Sequence, residues 1–123
     1  MTVLADTSVW IAHLRKGEPL LAELLSQGVV LMHPFVVGEL ACGNLRDRPR
    51  VLRDLNSLPC VVSATHDEVF GLVQERSLWG SGIGWVDAHL LAACLLSHCF
   101  LWTHDAGLQR AARHIGLNLH DRS

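Results

Sequence analysis

The sequence predicts an α/β protein, a three-layer α/β/α sandwich around a central, mostly parallel sheet of about five strands. Three observations predict it. Short, largely apolar runs recur at residues 3–5, 29–32, 60–62, 100–103 and 117–119, as expected of strands buried on both faces. Helical stretches separate most of them, as parallel neighbours require. No internal repeat, low-complexity tract or linker divides the 123 residues, so one domain over residues 1–123 is expected.

The elements follow in order. The first strand runs into Asp6-Thr7-Ser8, a helix N-cap signal, and the helix after it passes through Trp10, Ile11 and Leu14. Beyond Gly17, a second helix over 18–27 puts Leu20, Leu21, Leu24 and Leu25 on one face, and Gly28 ends it. The second strand is closed by His33-Pro34, with Pro34 suited to the first turn of a helix over 35–43. Arg46, Arg48, Arg50 and Arg53 form the only basic cluster, in a loop and the helix that follows. Pro59 breaks the chain before the third strand. Thr65-His66-Asp67-Glu68 then opens a helix with a capping box, which reaches about residue 78 and stops at Gly80-Ser81-Gly82-Ile83-Gly84. Residues 85–98 make a long apolar helix before the fourth strand. Asp105 caps a helix running to about residue 115, and 117–119 is the fifth strand. In such a fold, ligands bind at the carboxyl ends of the strands, where the strand order reverses.

Composition excludes several classes. No apolar run approaches the ~18 residues of a membrane span, and the N-terminus lacks the basic start and cleavage site of a signal peptide, so a cytoplasmic protein with no membrane contact is expected. The formal net charge of −2 is not that of a globally basic nucleic-acid binder. It does not exclude a nuclease, because a bound metal reverses the sign of an acidic pocket. Cys42, Cys60, Cys94 and Cys99 form no CxxC pair and lie in apolar runs, so all four are expected to be reduced and buried. Eight histidines invite a zinc site, but none form HxxxH or HExxH pairs; capping or solvated roles account for them.

Four carboxylates carry the chemistry. Asp6 and Asp105 each follow a strand and precede a helix, where N-capping alone is a sufficient explanation. Glu39 lies within the apolar Phe35-Val36-Val37-Gly38-Glu39-Leu40-Ala41-Cys42, which leaves little solvated face for it. Asp87 opens the most apolar helix, where the helix dipole favours a negative charge. Brought together, four such groups repel and raise one another's pKa values unless a cation compensates them. Hard oxygen donors select Mg²⁺ or Mn²⁺, which activate water and stabilise charge growing on a phosphodiester.

At these residues the chain resembles the PIN-domain family, specifically VapC-type ribonuclease toxins of bacterial toxin–antitoxin pairs. The matching segments are Leu4-Ala5-Asp6-Thr7-Ser8-Val9-Trp10-Ile11, Gly38-Glu39-Leu40, Trp85-Val86-Asp87-Ala88-His89-Leu90-Leu91-Ala92-Ala93 and Thr103-His104-Asp105. They span essentially the whole chain in family order. The resemblance implies that Asp6, Glu39, Asp87 and Asp105 are the acidic quartet that binds Mg²⁺ or Mn²⁺ and places the water attacking RNA, Asp105 acting through water. It also implies that Thr7, Ser8 and Thr103 support the site from behind. It further implies a homodimer and a small VapB-type antitoxin whose C-terminal segment follows the toxin groove and brings an Arg toward the carboxylates. Trp10, Trp79 and Trp85 are candidate apolar contacts, with core packing as the simpler role. Arg46, Arg48, Arg50 and Arg53 are candidates for the RNA backbone, with a solvated helix face as the alternative.

Two other classes compete with a metal-dependent endoribonuclease. One is a non-catalytic PIN-like module that binds RNA or protein. The other is a phosphate-transferring enzyme with an aspartyl nucleophile, which usually presents DxD where this chain has Asp6-Thr7-Ser8.

Overall fold

Strand β1 (Val3–Ala5) is entirely buried and forms the centre of the sheet, with β2 (Val30–Leu31) on one side and β3 (Phe100–Trp102) on the other. Both pairings are parallel; Val3 lies opposite Val30 and Phe100, and Leu4 opposite Leu31 and Leu101. The computed structural model describes residues 1–120. Within it the sheet has three laddered strands rather than five. The other two expected strands are present as single bridges, Met32 to Cys60 beyond β2 and Leu101 to Leu119 beyond β3. The cause at the first edge is local: Val61 N–H still donates to Met32, but Val62 N–H donates to Ser97 Oγ at 2.8 Å, so the chain has already left the sheet.

Seven helices connect these strands among the described residues: α1 (Thr7–Lys16), α2 (Pro19–Ser26), α3 (Pro34–Ala41), α4 (Arg48–Asn56), α5 (His66–Glu75), α6 (Trp85–Ser97) and α7 (Ala106–His114). Each agrees with a helix expected from the sequence, with ends that differ by a few residues. The differences have backbone causes. Ser77 and His98 adopt φ of 55° and 53°, left-handed values that stop α5 and α6 short. The chain runs outward from β1 to β2 to Cys60 through α1 to α4, with α1 packed on α3 and α3 on α4. The chain then returns through α5 and α6, which pack on each other, to β3. The direction therefore reverses between β1 and β3, and a crevice opens at their carboxyl ends.

Apolar burial holds this arrangement. Val3, Leu4, Ala5, Leu91, Ala93, Leu101 and Leu108 are completely enclosed, and α6 is buried continuously over residues 88–94. Several caps fix helix starts at the crevice edge. Asp6 caps α1, His33 caps α3, Thr65 and Glu68 form the expected capping box of α5, and Asp105 caps α7.

The cysteines correct one expectation. Cys94 and Cys99 are buried, but Cys42 and Cys60 are exposed, because they lie just past the end of α3 and on the outer edge of the sheet. The tryptophans divide likewise: Trp10 is in the core, whereas Trp79 and Trp85 face solvent. No helix among the described residues is long and apolar enough to cross a membrane.

Candidate functional site

Asp6 leaves the end of β1 and points into the crevice, 5% exposed. Its Oδ1 accepts from Ser8 Oγ at 2.6 Å and from Val9 N–H at 3.2 Å, while Oδ2 accepts a short hydrogen bond from Thr103 Oγ1 at the end of β3. The neighbouring strand ends are stitched further. Ser8 Oγ accepts from His104 N–H, and Thr103 Oγ1 accepts from Asp105 N–H, both at 3.0 Å. Three donors, two of them braced by backbone N–H groups, thus satisfy a buried carboxylate.

The other three acids arrive from different elements. Asp105 is exposed, and its Oδ2 accepts from Leu108 N–H at 3.0 Å as the cap of α7. Glu39 is exposed on α3, and its Oε1 accepts from Thr7 Oγ1 at 2.6 Å, which ties α3 to the first turn of α1. Asp87 is partly buried in the first turn of α6, where Oδ2 accepts from Gly84 N–H at 3.3 Å. Burial pushes its carboxyl above the usual aspartate range; the Gly84 N–H opposes this, and the charges of Asp6, Asp105 and Glu39 add to it. The fold therefore brings all four acids into one field, centred where the strand order reverses.

A divalent cation suits this donor set. All four candidates are anionic oxygen ligands, and Asp87 carries uncompensated repulsion from the other three. Asp6 Oδ2, Glu39 Oε1, Asp87 Oδ2 and Asp105 Oδ2 each accept one of these bonds and keep a lone pair for a ligand. As placed, no three acidic, histidine or cysteine side chains among the described residues close on one point at ligand distance. The reason is visible in the contacts: Asp6, Glu39 and Asp87 are turned toward Thr103, Thr7 and the Gly84 backbone.

The basic cluster is less uniform than its sequence. Arg48 directs both Nη atoms to carbonyls at the end of α3, Ala41 at 2.6 Å and Gly43 at 3.2 Å. Arg50 pairs with Asp47 at 2.7 Å and with Asp54 at 3.8 Å. Arg46 and Arg53 are exposed, and Arg46 lines a cleft of about 600 Å³ with Arg15, Leu45 and Glu39. That cleft touches Glu39 but none of the other three acids.

Two neighbours of the site were not evident from the sequence. Gln109 Nε2 donates to the Thr103 carbonyl at 2.9 Å, and His104 Nε2 meets Glu18 Oε2 at 2.7 Å. The only signal for either is proximity to Thr103-His104-Asp105, since Glu18 lies 86 positions away from His104.

The sequence profile of the PIN domain matches residues 3–114. The chain belongs to the PIN-domain family. Within that family it is of the VapC type: it is 45% identical over 118 residues to Ribonuclease VapC32 of Mycobacterium tuberculosis, with 95% of each chain covered. The PIN fold also recurs in solved structures. VapBC-1 from nontypeable Haemophilus influenzae matches with a TM-score of 0.72 at 20% identity, covering 98% of both chains. PAE2754 from Pyrobaculum aerophilum matches with a TM-score of 0.59 at 19% identity, covering 88% of this PIN chain and 77% of its own.

Proposed function

We propose that this PIN-domain protein is a metal-dependent endoribonuclease, the toxin of a type II toxin–antitoxin module, which hydrolyses RNA phosphodiester bonds at Asp6, Glu39, Asp87 and Asp105. The observation that carries the reading is the shared field of these acids at the strand-order reversal: burial raises the Asp87 carboxyl, and the charges of Asp6, Asp105 and Glu39 add to it. A ribonuclease name on a relative 45% identical over nearly its full length supports the reaction class.

Bound Mg²⁺ or Mn²⁺ supplies a polarised water and offsets charge on the phosphodiester. The chain's own groups prepare that chemistry. Thr103, Ser8 and Val9 N–H fix both oxygens of Asp6, so this ligand is oriented before anything binds. Thr7 holds Glu39 toward the crevice from α3. Asp87 adds the charge least comfortable without a cation, and Asp105, exposed on the rim, acts through water. The partners proposed with this reading are single-stranded RNA, a second copy of the chain and a VapB-type antitoxin, all in the cytoplasm.

The test is cleavage of an RNA panel with Mg²⁺ or Mn²⁺. Cleavage should disappear with EDTA and fall to background in Asp6→Asn. Calorimetric titration with Mn²⁺ should give heat in the unaltered chain and lose it in Asp6→Asn. Cleavage that survives both EDTA and Asp6→Asn would sink the assignment; no metal heat and no cleavage would favour a non-catalytic binding module.

A further inference from the structure

Three exposed aromatic side chains meet on one surface although each comes from a different helix. Phe35 on α3, Phe70 on α5 and Trp85 on α6 are 39%, 55% and 41% exposed. Imidazoles join them into a chain of rings. His89 is buried between Phe35 and Trp85, with ring centroids 4.7 and 4.8 Å away. His66 continues from Trp85 at 5.0 Å and lies nearly parallel to Phe70 at 6.4 Å. Trp85 is thus braced by His89, almost perpendicular to it, and by His66, so its open face is held in place before anything touches it.

This chain of rings borders the acidic crevice. Trp85 opens α6 two residues before Asp87, and Phe35 lies one helical turn before Glu39 on the same face of α3. An RNA strand whose phosphodiester meets these acids therefore brings its neighbouring bases to the rings. Every base has a flat π-face, and aromatic side chains bind that face by stacking. Paired bases hide it inside a duplex; unpaired bases present it.

We propose that Trp85, Phe35 and Phe70 form a base-stacking subsite for unpaired nucleotides of an RNA strand, beside the carboxylates that meet its phosphodiester. The inference rests on the ribonuclease reading and adds the class of RNA: single-stranded, with little preference among bases at this subsite. A second copy of the chain fits the patch less well. The three side chains expose roughly 300 Å² together, from about 150–250 Å² for a whole aromatic side chain, whereas a stable protein pair buries about 800 Å² on each partner.

Binding is followed in EDTA, where no metal supports cleavage, with two probes: a mixed-sequence single-stranded RNA octamer without self-complementarity, and an RNA duplex of the same length. Trp10 and Trp102 are buried, so quenching of tryptophan fluorescence by RNA reports on Trp79 and Trp85. The octamer should quench the unaltered chain and Trp79→Phe alike, and Trp85→Phe far less. By anisotropy of a labelled octamer, Trp85→Ala should bind about 10-fold more weakly at low and high salt alike, since stacking releases no counterions. Trp85→Phe, which keeps a ring, should recover most of that loss, and Phe70→Ala should show a smaller one. The duplex should bind Trp85→Ala and the unaltered chain equally. Octamer affinity unchanged in both Trp85→Ala and Phe70→Ala would overturn the inference; if light scattering then showed a pair of copies separating, the patch would be an interface between copies instead. Cleavage with Mn²⁺ separates the two readings. RNA cut by the unaltered chain, with octamer affinity unchanged in Trp85→Ala, would remove the stacking subsite and leave the ribonuclease. Octamer binding that depends on Trp85, with no RNA cut, would remove the ribonuclease and leave the subsite.

Discussion

Asp6 and Glu39 belong to one acidic group, yet their surroundings differ as sharply as any in the molecule. Asp6 is buried where β1 and β3 meet, with both oxygens bonded to the protein. Glu39 is exposed on α3, held by Thr7 alone, and opens onto a cleft rimmed with arginines. The contrast separates a fixed anchor, set by the sheet itself, from an arm whose position a ligand can still adjust.

Asp87→Asn should have the largest effect, because it removes the charge that both Asp6 and Glu39 act on. RNA cleavage should fall to background while the metal-free protein becomes more stable at neutral pH. The sign follows from the raised carboxyl. An acid that titrates higher when folded than when unfolded costs stability once ionised, and the cost grows as pH rises from the ordinary aspartate value of about 3.9 through the raised one. Asparagine removes that charge and can still accept from Gly84 N–H. Thermal melts in EDTA check this: a lower midpoint for the variant than for the unaltered chain would refute the shared field.

Acid should loosen the arm side. His33 caps α3, is 1% exposed, and has its pKa lowered to about 4 by burial and then by His89. The unfolded imidazole takes its proton near 6.5 and the folded one only near 4, so stability is lost as pH falls between those values, by about 3 kcal/mol in full. Urea unfolding at pH 7 and pH 4.5 should show the loss, and His33→Asn, which keeps a capping oxygen, should flatten it.

A direct comparison pairs Thr103→Val with Thr7→Val. The first strips Asp6 of a buried partner and should cost about 2 kcal/mol of stability and about 10–100-fold in cleavage. The second removes an exposed contact to Glu39 and should cost little stability and only a few-fold in rate. Equal losses would erase the distinction between anchor and arm.

The smallest effects are expected among the arginines. Arg48→Ala should cost about 1 kcal/mol by freeing the carbonyls at the end of α3, with RNA affinity little changed. Arg46→Glu should leave stability unchanged but weaken RNA binding more at low salt than at high. Binding measured across a salt series separates the two roles, and an unchanged slope for Arg46→Glu would remove it from the RNA path.

What was legible in the sequence follows from the range of the interactions involved. Capping residues act locally, so Asp6, Thr65 and Asp105 marked helix starts that the structure keeps. Apolar runs located the three laddered strands. They overstated the two edges, because an apolar run near residue 61 does not reveal that Val62 N–H will turn to Ser97. For the site, residue type and order picked out the four acids whose charges meet at Asp87. Charge type alone grouped four arginines that the structure separates into a helix-capping Arg48, a paired Arg50 and the exposed Arg46 and Arg53. The Glu18–His104 contact depends on side-chain direction, which neither spacing nor hydropathy carries.

The bond from Thr103 to Asp6 joins residues 97 positions apart. Because synthesis runs from Met1, Asp6 leaves the ribosome long before the strand that orients it exists. The acids at 6, 39 and 87 are all made first and remain unorganised until β3 slides in beside β1. A chain that stops short of Thr103 lacks the partner that orients Asp6, so the four acids come together only once β3 has been made.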